Sequence, residues 1–218
     1  NAGINIAKGV YFISIDVDSI IDPHALKKLI KPFLEASDKK VIAAGGVIQI
    51  ANSCVIENGQ LVEVNVPSKL IPRFQVIEYS RSFLMGRLAW SRLDGLLLIS
   101  GALGLFDKEV VINCGGYYTQ TVGEDMELVV RMRKYMANQG IKYKVVYISD
   151  PLCWTEAPST LKVLGTQRNR WTRGTIDTIM LHRDIFMNRK FGFMGMVSHP
   201  YWVFFEWLAP IVEFLGII

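Results

Sequence analysis

Net positive charge is missing from large parts of this 218-residue chain, since the seven lysines of the first 72 residues are balanced by seven acidic residues. Arginine does not occur in the first 72 residues, and neither lysine nor arginine follows Lys190. Between residues 160 and 190, by contrast, seven basic residues stand against two acidic ones. Such a segment suits an anionic substrate or anionic lipid headgroups, and it also occurs as a solvated helix face. The net charge of +4 therefore comes from one part of the chain.

Cysteine is also scarce. The three cysteines, Cys54, Cys114 and Cys153, are odd in number, far apart and not in the spacing of a metal site. This argues against a disulfide-stapled scaffold and a zinc module, so we expect free thiols in a reducing compartment. Internal repeats and low-complexity stretches are absent too, which argues against solenoid and fibrous classes.

Half of the residues are hydrophobic and 20% are charged, which is enough for one well-buried domain. Strand and helix patterns alternate along the chain, and this predicts an α/β fold with a mostly parallel central sheet flanked by helices. The predicted strands are 10–15, 41–50, 61–66, 96–99 and 142–148. The predicted helices are 22–36, 72–93, 108–113, 124–139 and 159–182.

Two carboxylates, Asp16 and Asp18, follow the predicted strand 10–15. Residues i and i+2 of an extended segment point the same way, so both can hold one divalent cation that bridges nucleotide phosphates. In open α/β sheets ligands bind beyond the carboxyl ends of strands, which favours this interpretation over a solvated turn.

A second acidic pair, Glu124 and Asp125, begins a predicted helix directly after Gly123. The helix dipole favours acids there, so simple capping is one explanation. The other is a carboxylate that acts as general base towards a hydroxyl.

Gln167, Arg170 and Trp171 share one face of the predicted helix 159–182. Arginine offers forked donors to a diphosphate, and tryptophan offers a flat apolar surface to a sugar ring. The alternative is a basic surface helix with one core tryptophan.

In this order, the motifs resemble processive, inverting family-2 glycosyltransferases such as cellulose synthase, hyaluronan synthase and poly-N-acetylglucosamine synthase. The stretches that carry the resemblance are YFISIDVDS, LLISGALGLF, VGEDMEL and TQRNRW, and it extends over residues 1 to about 190. The stretch WTEAPSTLKVLGTQRNRW is most similar to the poly-N-acetylglucosamine synthase branch.

The resemblance implies a GT-A fold, a UDP-sugar donor, a polysaccharide acceptor, a divalent cation (Mg²⁺ or Mn²⁺) and no nucleic acid partner. It also implies an enzyme of the inner or plasma membrane whose catalytic domain is cytoplasmic. By this resemblance, Asp16 and Asp18 would bind the metal and the diphosphate, and Gln167 and Arg170 would also bind the diphosphate. Asp125 would be the catalytic base, with Glu124 beside it. Trp171 would stack on the acceptor sugar, and Ser100 and Gly101 would lie near the donor or acceptor sugar.

One part of the family pattern has no counterpart here. Family members begin with a strand carrying P-x-Y-N-E-like residues and a further aspartate that contacts the uracil. We therefore expect residues 1–190 to be a GT-A catalytic domain without its amino-terminal nucleoside-binding half, and we expect the chain alone to be inactive.

The segment 191–218 is rich in apolar residues, but two prolines and two glutamates interrupt it. No run reaches the roughly 18–20 residues that a membrane-spanning helix needs. Tyr201, Trp202 and Trp207 are residue types of membrane interfaces. We expect an interfacial helix leading into a transmembrane segment and contact with membrane lipid; a buried core helix is the alternative.

Three other functions remain as alternatives. A single-sugar transferase to a lipid carrier would generally lack the Gln-x-x-Arg-Trp motif. A non-catalytic nucleotide- or polysaccharide-binding remnant fits the absent amino-terminal half. A metal-dependent nucleotidyltransferase would show further acids near the metal pair and a basic track for nucleic acid.

Overall fold

The structure is a computed structural model that describes residues 1–35 and 38–208. Its strands are β1 (Tyr11–Ile15), β2 (Ile20–Ile21), β3 (Lys40–Ile50), β4 (Val55–Glu57), β5 (Gln60–Glu63), β6 (Leu103–Asp107) and β7 (Tyr143–Thr155). Its α-helices are α1 (Ala2–Ile6), α2 (Ala25–Leu34), α3 (Leu70–Tyr79), α4 (Arg87–Arg92), α5 (Lys108–Asn113), α6 (Glu124–Asn138), α7 (Leu161–Leu181) and α8 (His199–Tyr201). A π-helical stretch, Ser80–Gly86, joins α3 to α4 into one continuous helix, which corresponds to the predicted helix 72–93.

Five strands form the central sheet in the order β1-β6-β3-β7-β2, and β4 pairs with β5 in a separate hairpin. Only β3 and β7 are parallel; the other three pairings of this sheet are antiparallel. The α/β class is confirmed, but the expectation of a mostly parallel sheet is wrong. Alternating strand and helix patterns do not give strand direction, and β6 runs back between β1 and β3.

The strand predicted at residues 96–99 is also wrong. Leu96, Leu97 and Ile99 are buried and Leu98 is partly buried, but the segment forms no strand, and the strand is the following segment, β6. Arginine side chains take the place of a strand partner, because Arg133 donates to the Leu96 carbonyl at 2.6 Å and Arg87 donates to the Ile99 carbonyl. A short apolar run does not reveal by itself whether its backbone pairs with another strand.

Hydrophobic clusters lie on both faces of the sheet. On one face, α5 and α6 pack with β3, for example through Val111, Leu128 and Ile42. On the other, α2 and α3 pack on the same sheet through residues such as Leu29 and Tyr79. The sheet is therefore covered on both faces. The predicted site residues lie in loops next to β1 and β6 (Asp16, Asp18, Ser100 and Gly101), at the start of α6 (Glu124 and Asp125) and on α7 (Gln167, Arg170 and Trp171).

The predicted boundary at residue 190 falls inside a third cluster, in which Phe191 and Met194 pack against Met126 and Val130 of α6. Within residues 1–35 and 38–208, no helix is long and apolar enough to cross a membrane. The transmembrane segment expected at the end of the chain is thus unconfirmed, and residues 209–218 lie outside the described part.

Candidate active site

The Asp16–Asp18 loop and the segment 100–102 meet at one end of the sheet. The Asp16 amide donates to the Ala102 carbonyl at 3.3 Å, and the Ala102 amide in turn donates to Ser100 Oγ at 3.3 Å. The pairing of β1 with β6 extends into these loops, since Ile15 lies opposite Leu103. Two motifs that are more than 80 residues apart in the sequence are therefore neighbours.

Asp125, at the start of α6, approaches the same place. A Cβ atom added to Gly101 would stand 3.4 Å from Asp125 Oδ2. The other carboxylate oxygen, Oδ1, accepts a hydrogen bond from the Met126 amide at 2.8 Å. One oxygen is thus used to orient the carboxylate, and the second lies against the open surface of a glycine, where a larger residue would crowd it.

The charged groups of three motifs share one electrostatic environment. Burial raises the pKa of Asp16, the nearby carboxylates of Asp18 and Asp125 raise it further, and the Arg170 guanidinium acts in the opposite direction. Repulsion among three carboxylates is the condition that a bound cation relieves, so Asp16 and Asp18 fit a divalent cation. In the described residues no group of three or more His, Cys, Asp or Glu forms a metal cage, so such an ion would need further ligands from a nucleotide diphosphate or water.

Helix α7 is held beside the start of α6 by two glycines in backbone contact. A Cβ added to Gly174 would stand 2.6 Å from the Gly123 Cα, and one added to Gly123 would stand 2.6 Å from the Gly174 Cα. Only hydrogen fits at either position. Because Gly123 precedes the Glu124–Asp125 pair and Gly174 follows Arg170 by one turn, this contact brings the two motifs together.

We expect Gly174→Ala to lower the free energy of unfolding by about 1–3 kcal/mol, the usual effect of overpacking. It should also reduce nucleotide affinity, because α6 and α7 must separate. Gly165 on the same helix has nothing within 4 Å of its added Cβ. The control Gly165→Ala should instead stabilise by up to about 1 kcal/mol. Urea unfolding of both variants checks this, and equal stability would show that the glycine contact is not tight.

The remaining residues of the α7 motif, Trp171 and Gln167, lie at the edge of the site. Trp171 is 38% exposed, and the Arg168 guanidinium carbon lies 4.3 Å from its ring centre. Gln167 Oε1 is buried and makes no hydrogen bond within the part of the chain that the structure describes. The partly exposed indole and the unpaired amide oxygen are therefore two groups of α7 to which a ligand could bind.

A cleft of about 390 Å³ opens next to Asp18. Its lining is mixed and includes Lys69, Glu156 and Ser159. Asn52 fixes one wall, because its side-chain amide donates to the Ala157 carbonyl at 3.0 Å and its Oδ1 accepts from the Ala157 amide at 2.7 Å. The space beside the metal-binding candidates is therefore preformed and polar enough for a hydroxyl-rich ligand.

A model of the family described as glycosyl transferase family group 2 matches residues 11–217. The chain belongs to this family. Poly-beta-1,6-N-acetyl-D-glucosamine synthase of Staphylococcus aureus (strain COL) is 28% identical to it over 190 residues, which are 87% of this chain and 40% of the relative. Hyaluronan synthase of Streptococcus pyogenes is 31% identical over 170 residues, which are 74% of this chain and 35% of the relative. The chain thus spans less than half of either relative's length.

Among solved structures, a mannosyltransferase from Pyrobaculum calidifontis in complex with GDP-Man and Mn²⁺ aligns with a TM-score of 0.59 and 16% sequence identity. The alignment covers 94% of this chain and 48% of that one. At this identity the likeness shows the fold, which is GT-A-like with a mixed central sheet. The family that the ordered motifs resemble is confirmed.

Sequence analysis missed two tyrosines of this family-2 domain. Burial raises the pKa of Tyr117, whose phenol is hydrogen-bonded with Ser14 and lies near Asp125 and Glu124. Burial likewise raises the pKa of Tyr79, on which Arg168 acts in the opposite direction and Asp18 in the same direction. Neither residue belongs to a recognisable motif, so only the fold reveals that they border the site.

A buried ionic network behind the site was also missed. Glu127, which is fully buried, accepts hydrogen bonds from Arg131 Nε at 2.8 Å and pairs with His182 Nε2 at 3.1 Å. Burial acts to raise the pKa of Glu127, but the hydrogen bonds from His182 and Arg131 outweigh it, so the pKa is lowered. The network ties the first turn of α6, which carries Asp125, to the end of α7. The three acids in the first turn of α6, Glu124, Asp125 and Glu127, are visible in the sequence, but such acids are common at helix starts and are not a specific signal.

Proposed function

We propose that this domain transfers a sugar, with inversion, from a UDP-sugar to the end of a growing polysaccharide. The observation that carries the proposal is the meeting of Asp16, Asp18, Asp125 and Arg170 in one charged cluster beside Gly101. Family membership supports sugar transfer, and both relatives named above are polysaccharide synthases. The UDP-sugar and the polymer are our extension of that membership.

In this mechanism Asp125 Oδ2 accepts the proton of the acceptor hydroxyl as the hydroxyl oxygen attacks the anomeric carbon of the donor sugar. The bond from that carbon to the diphosphate oxygen breaks, and UDP leaves. Its neighbour Glu124 stands beside it without taking the proton. Arg170 and Gln167 hold the diphosphate, and the guanidinium stabilises the charge that develops there. A divalent cation held by Asp16 and Asp18 would supply further positive charge to the phosphates.

The sugars are placed by the apolar and small residues of the site. Trp171 stacks against the acceptor sugar with its exposed face. Ser100 and Gly101 border the donor or acceptor sugar, since a glycine beside Asp125 lets a sugar approach the base. The cleft next to Asp18 provides the neighbouring space.

We expect weak, metal-dependent binding of UDP to residues 1–218, because the proposed contacts of Asp16, Asp18, Gln167 and Arg170 are all to the diphosphate and the metal and none is to the nucleoside. Titration calorimetry with UDP should show at least about a tenfold gain in affinity, or 1.4 kcal/mol, when Mn²⁺ is added. Asp16→Asn and Asp18→Asn should each remove that gain. The control Asp22→Asn should not, because Asp22 accepts a hydrogen bond from the His24 amide and belongs to the start of α2. Tight binding that ignores Mn²⁺ would contradict the metal role.

We further propose that the domain works at the cytoplasmic face of the inner or plasma membrane, with residues 191–218 as its lipid contact. Phe204 and Phe205 support this, because their side chains are 50% and 64% exposed on the final described helix. Exposed neighbouring aromatics are a liability in water and suit a lipid interface. The basic segment 160–190 precedes them on the cytoplasmic side.

Replacing both phenylalanines by serine should eliminate flotation of the protein with anionic liposomes while the fold is kept. Val62 in the β4–β5 hairpin, 59% exposed, provides a control: Val62→Ser should float normally. Flotation of the double variant at the wild-type level would show that the lipid contact lies elsewhere.

A further inference from the structure

An ion pair connects α3 to the α7 motif. Arg168 Nη2 donates to Glu78 Oε2 at 2.7 Å, and the same guanidinium lies over the Trp171 ring, 4.3 Å from its centre. The Glu78 carboxylate therefore contacts the Arg168 guanidinium, which in turn contacts the Trp171 indole. Trp171 is three residues from Arg168 on α7, the spacing at which helical side chains meet, whereas Glu78 comes from a different helix.

This arrangement determines which face of the indole is available. Arg168 covers one face with a planar cation, which is the favoured geometry of a cation–π contact. A sugar ring can stack only on the opposite face. The partner Glu78 keeps Arg168 in that place, because a charge-assisted hydrogen bond restricts an otherwise flexible side chain.

The ion pair of Glu78 and Arg168 contributes little to the stability of the fold. Glu78 and Arg168 are 40% and 30% exposed, and pairs of this exposure contribute little to folding because water screens them. The position of the pair, by contrast, is fixed. Tyr79, next to Glu78, is buried in the core cluster under the sheet, and its phenol lies in range of both Asp18 and Arg168. Helix α3 thus holds Glu78 at a set distance from the diphosphate-binding candidates.

We propose that Glu78 is a positioning residue that acts through Arg168 to set the angle of Trp171 towards the acceptor sugar. The inference rests on the proposed acceptor role of Trp171. It adds a residue of α3, outside every motif of the sequence, to the parts that determine acceptor binding. Glu78 itself touches no reacting atom.

The first test is kinetic and uses the full-length enzyme with a β-1,6-linked N-acetylglucosamine oligosaccharide as acceptor. Glu78→Gln should raise the acceptor KM about three- to tenfold, the range of a single coupled contact, and leave kcat and the donor KM near wild type. Glu78→Asp should recover part of the loss. In a Trp171→Phe background, Glu78→Gln should add less than about twofold, because the group it orients has changed. The matched control is Asp150→Asn, which breaks the comparable exposed pair of Lys28 and Asp150 (2.9 Å) away from α7.

The second test needs no activity. In protein labelled with 5-fluorotryptophan, the Trp171 resonance is identified by its loss in Trp171→Phe. Glu78→Gln should shift that resonance, and Asp150→Asn should not. An unmoved resonance overturns the inference, and so does a KM effect of Glu78→Gln that is equal in both backgrounds; either result leaves the proposed function intact. If Trp171→Phe does not alter the acceptor KM, the acceptor role of Trp171 fails and the inference fails with it.

Discussion

Asp125→Asn should lower sugar transfer by the full-length enzyme by about 10²–10⁴-fold, the usual contribution of a general base. The amide keeps the shape of the carboxylate but cannot take a proton. Its Oδ1 can still accept from the Met126 amide, so the first turn of α6 should keep its geometry. Donor affinity, measured beside incorporation of radiolabelled sugar, should stay near wild type because the proposed mechanism assigns diphosphate binding to other residues.

Glu124→Gln is the matched control for this experiment, since it makes the same chemical change one residue earlier. Adjacent helical residues point about 100° apart, so only one of the two acids can face the hydroxyl squarely. The loss in Glu124→Gln should therefore be milder. If Asp125→Asn keeps near-normal turnover and Glu124→Gln is inactive, the two roles are exchanged. If both variants turn over normally, the base lies elsewhere.

Trp171→Ala should abolish polymer elongation while UDP-sugar binding survives. The indole offers the acceptor its one uncovered face, and alanine removes that surface entirely. Folding should be little affected, because Trp171 is 38% exposed and outside the described core clusters. The measurement is product length by gel filtration, together with donor affinity by calorimetry.

Met180→Ala provides the comparison for Trp171→Ala. Met180 lies on the same helix and is 52% exposed, so its loss removes a similar apolar surface away from the motif. Elongation should be normal in that variant. Normal elongation by Trp171→Ala would mean that the tryptophan only packs against Arg168.

The sequence predicted the candidate site residues because each motif depends on local chemistry. Paired aspartates after a strand, acids at a helix start and a glutamine, arginine and tryptophan on one helix face are all visible without the fold. The structure adds that Asp125 is near enough to Asp16 to raise its pKa, and the roles of these residues stay predictions. Helix periodicity similarly predicted α6 and α7 to within two residues at each end.

The parts that sequence analysis missed depend on contacts between distant segments. The residues 96–99 form no strand, and two of their carbonyls accept hydrogen bonds from Arg87 and Arg133 instead. Nothing in the sequence links either arginine to this segment. Glycine is required at positions 123 and 174 only because α6 and α7 pack together there, and this contact is not visible in the sequence. Strand direction in the sheet, and the link from Glu78 to Trp171, are likewise properties of packing.

Incorporation of radiolabelled sugar, followed by sizing of the product, tests the central claim most directly. The full-length protein, in membranes, is incubated with UDP-N-acetylglucosamine and Mn²⁺, and Asp125→Asn is the parallel sample. The account predicts label in a polymer that lengthens with time in the wild type and is nearly absent in the variant. Label confined to a single lipid-linked sugar, or a polymer formed equally by Asp125→Asn, would contradict it.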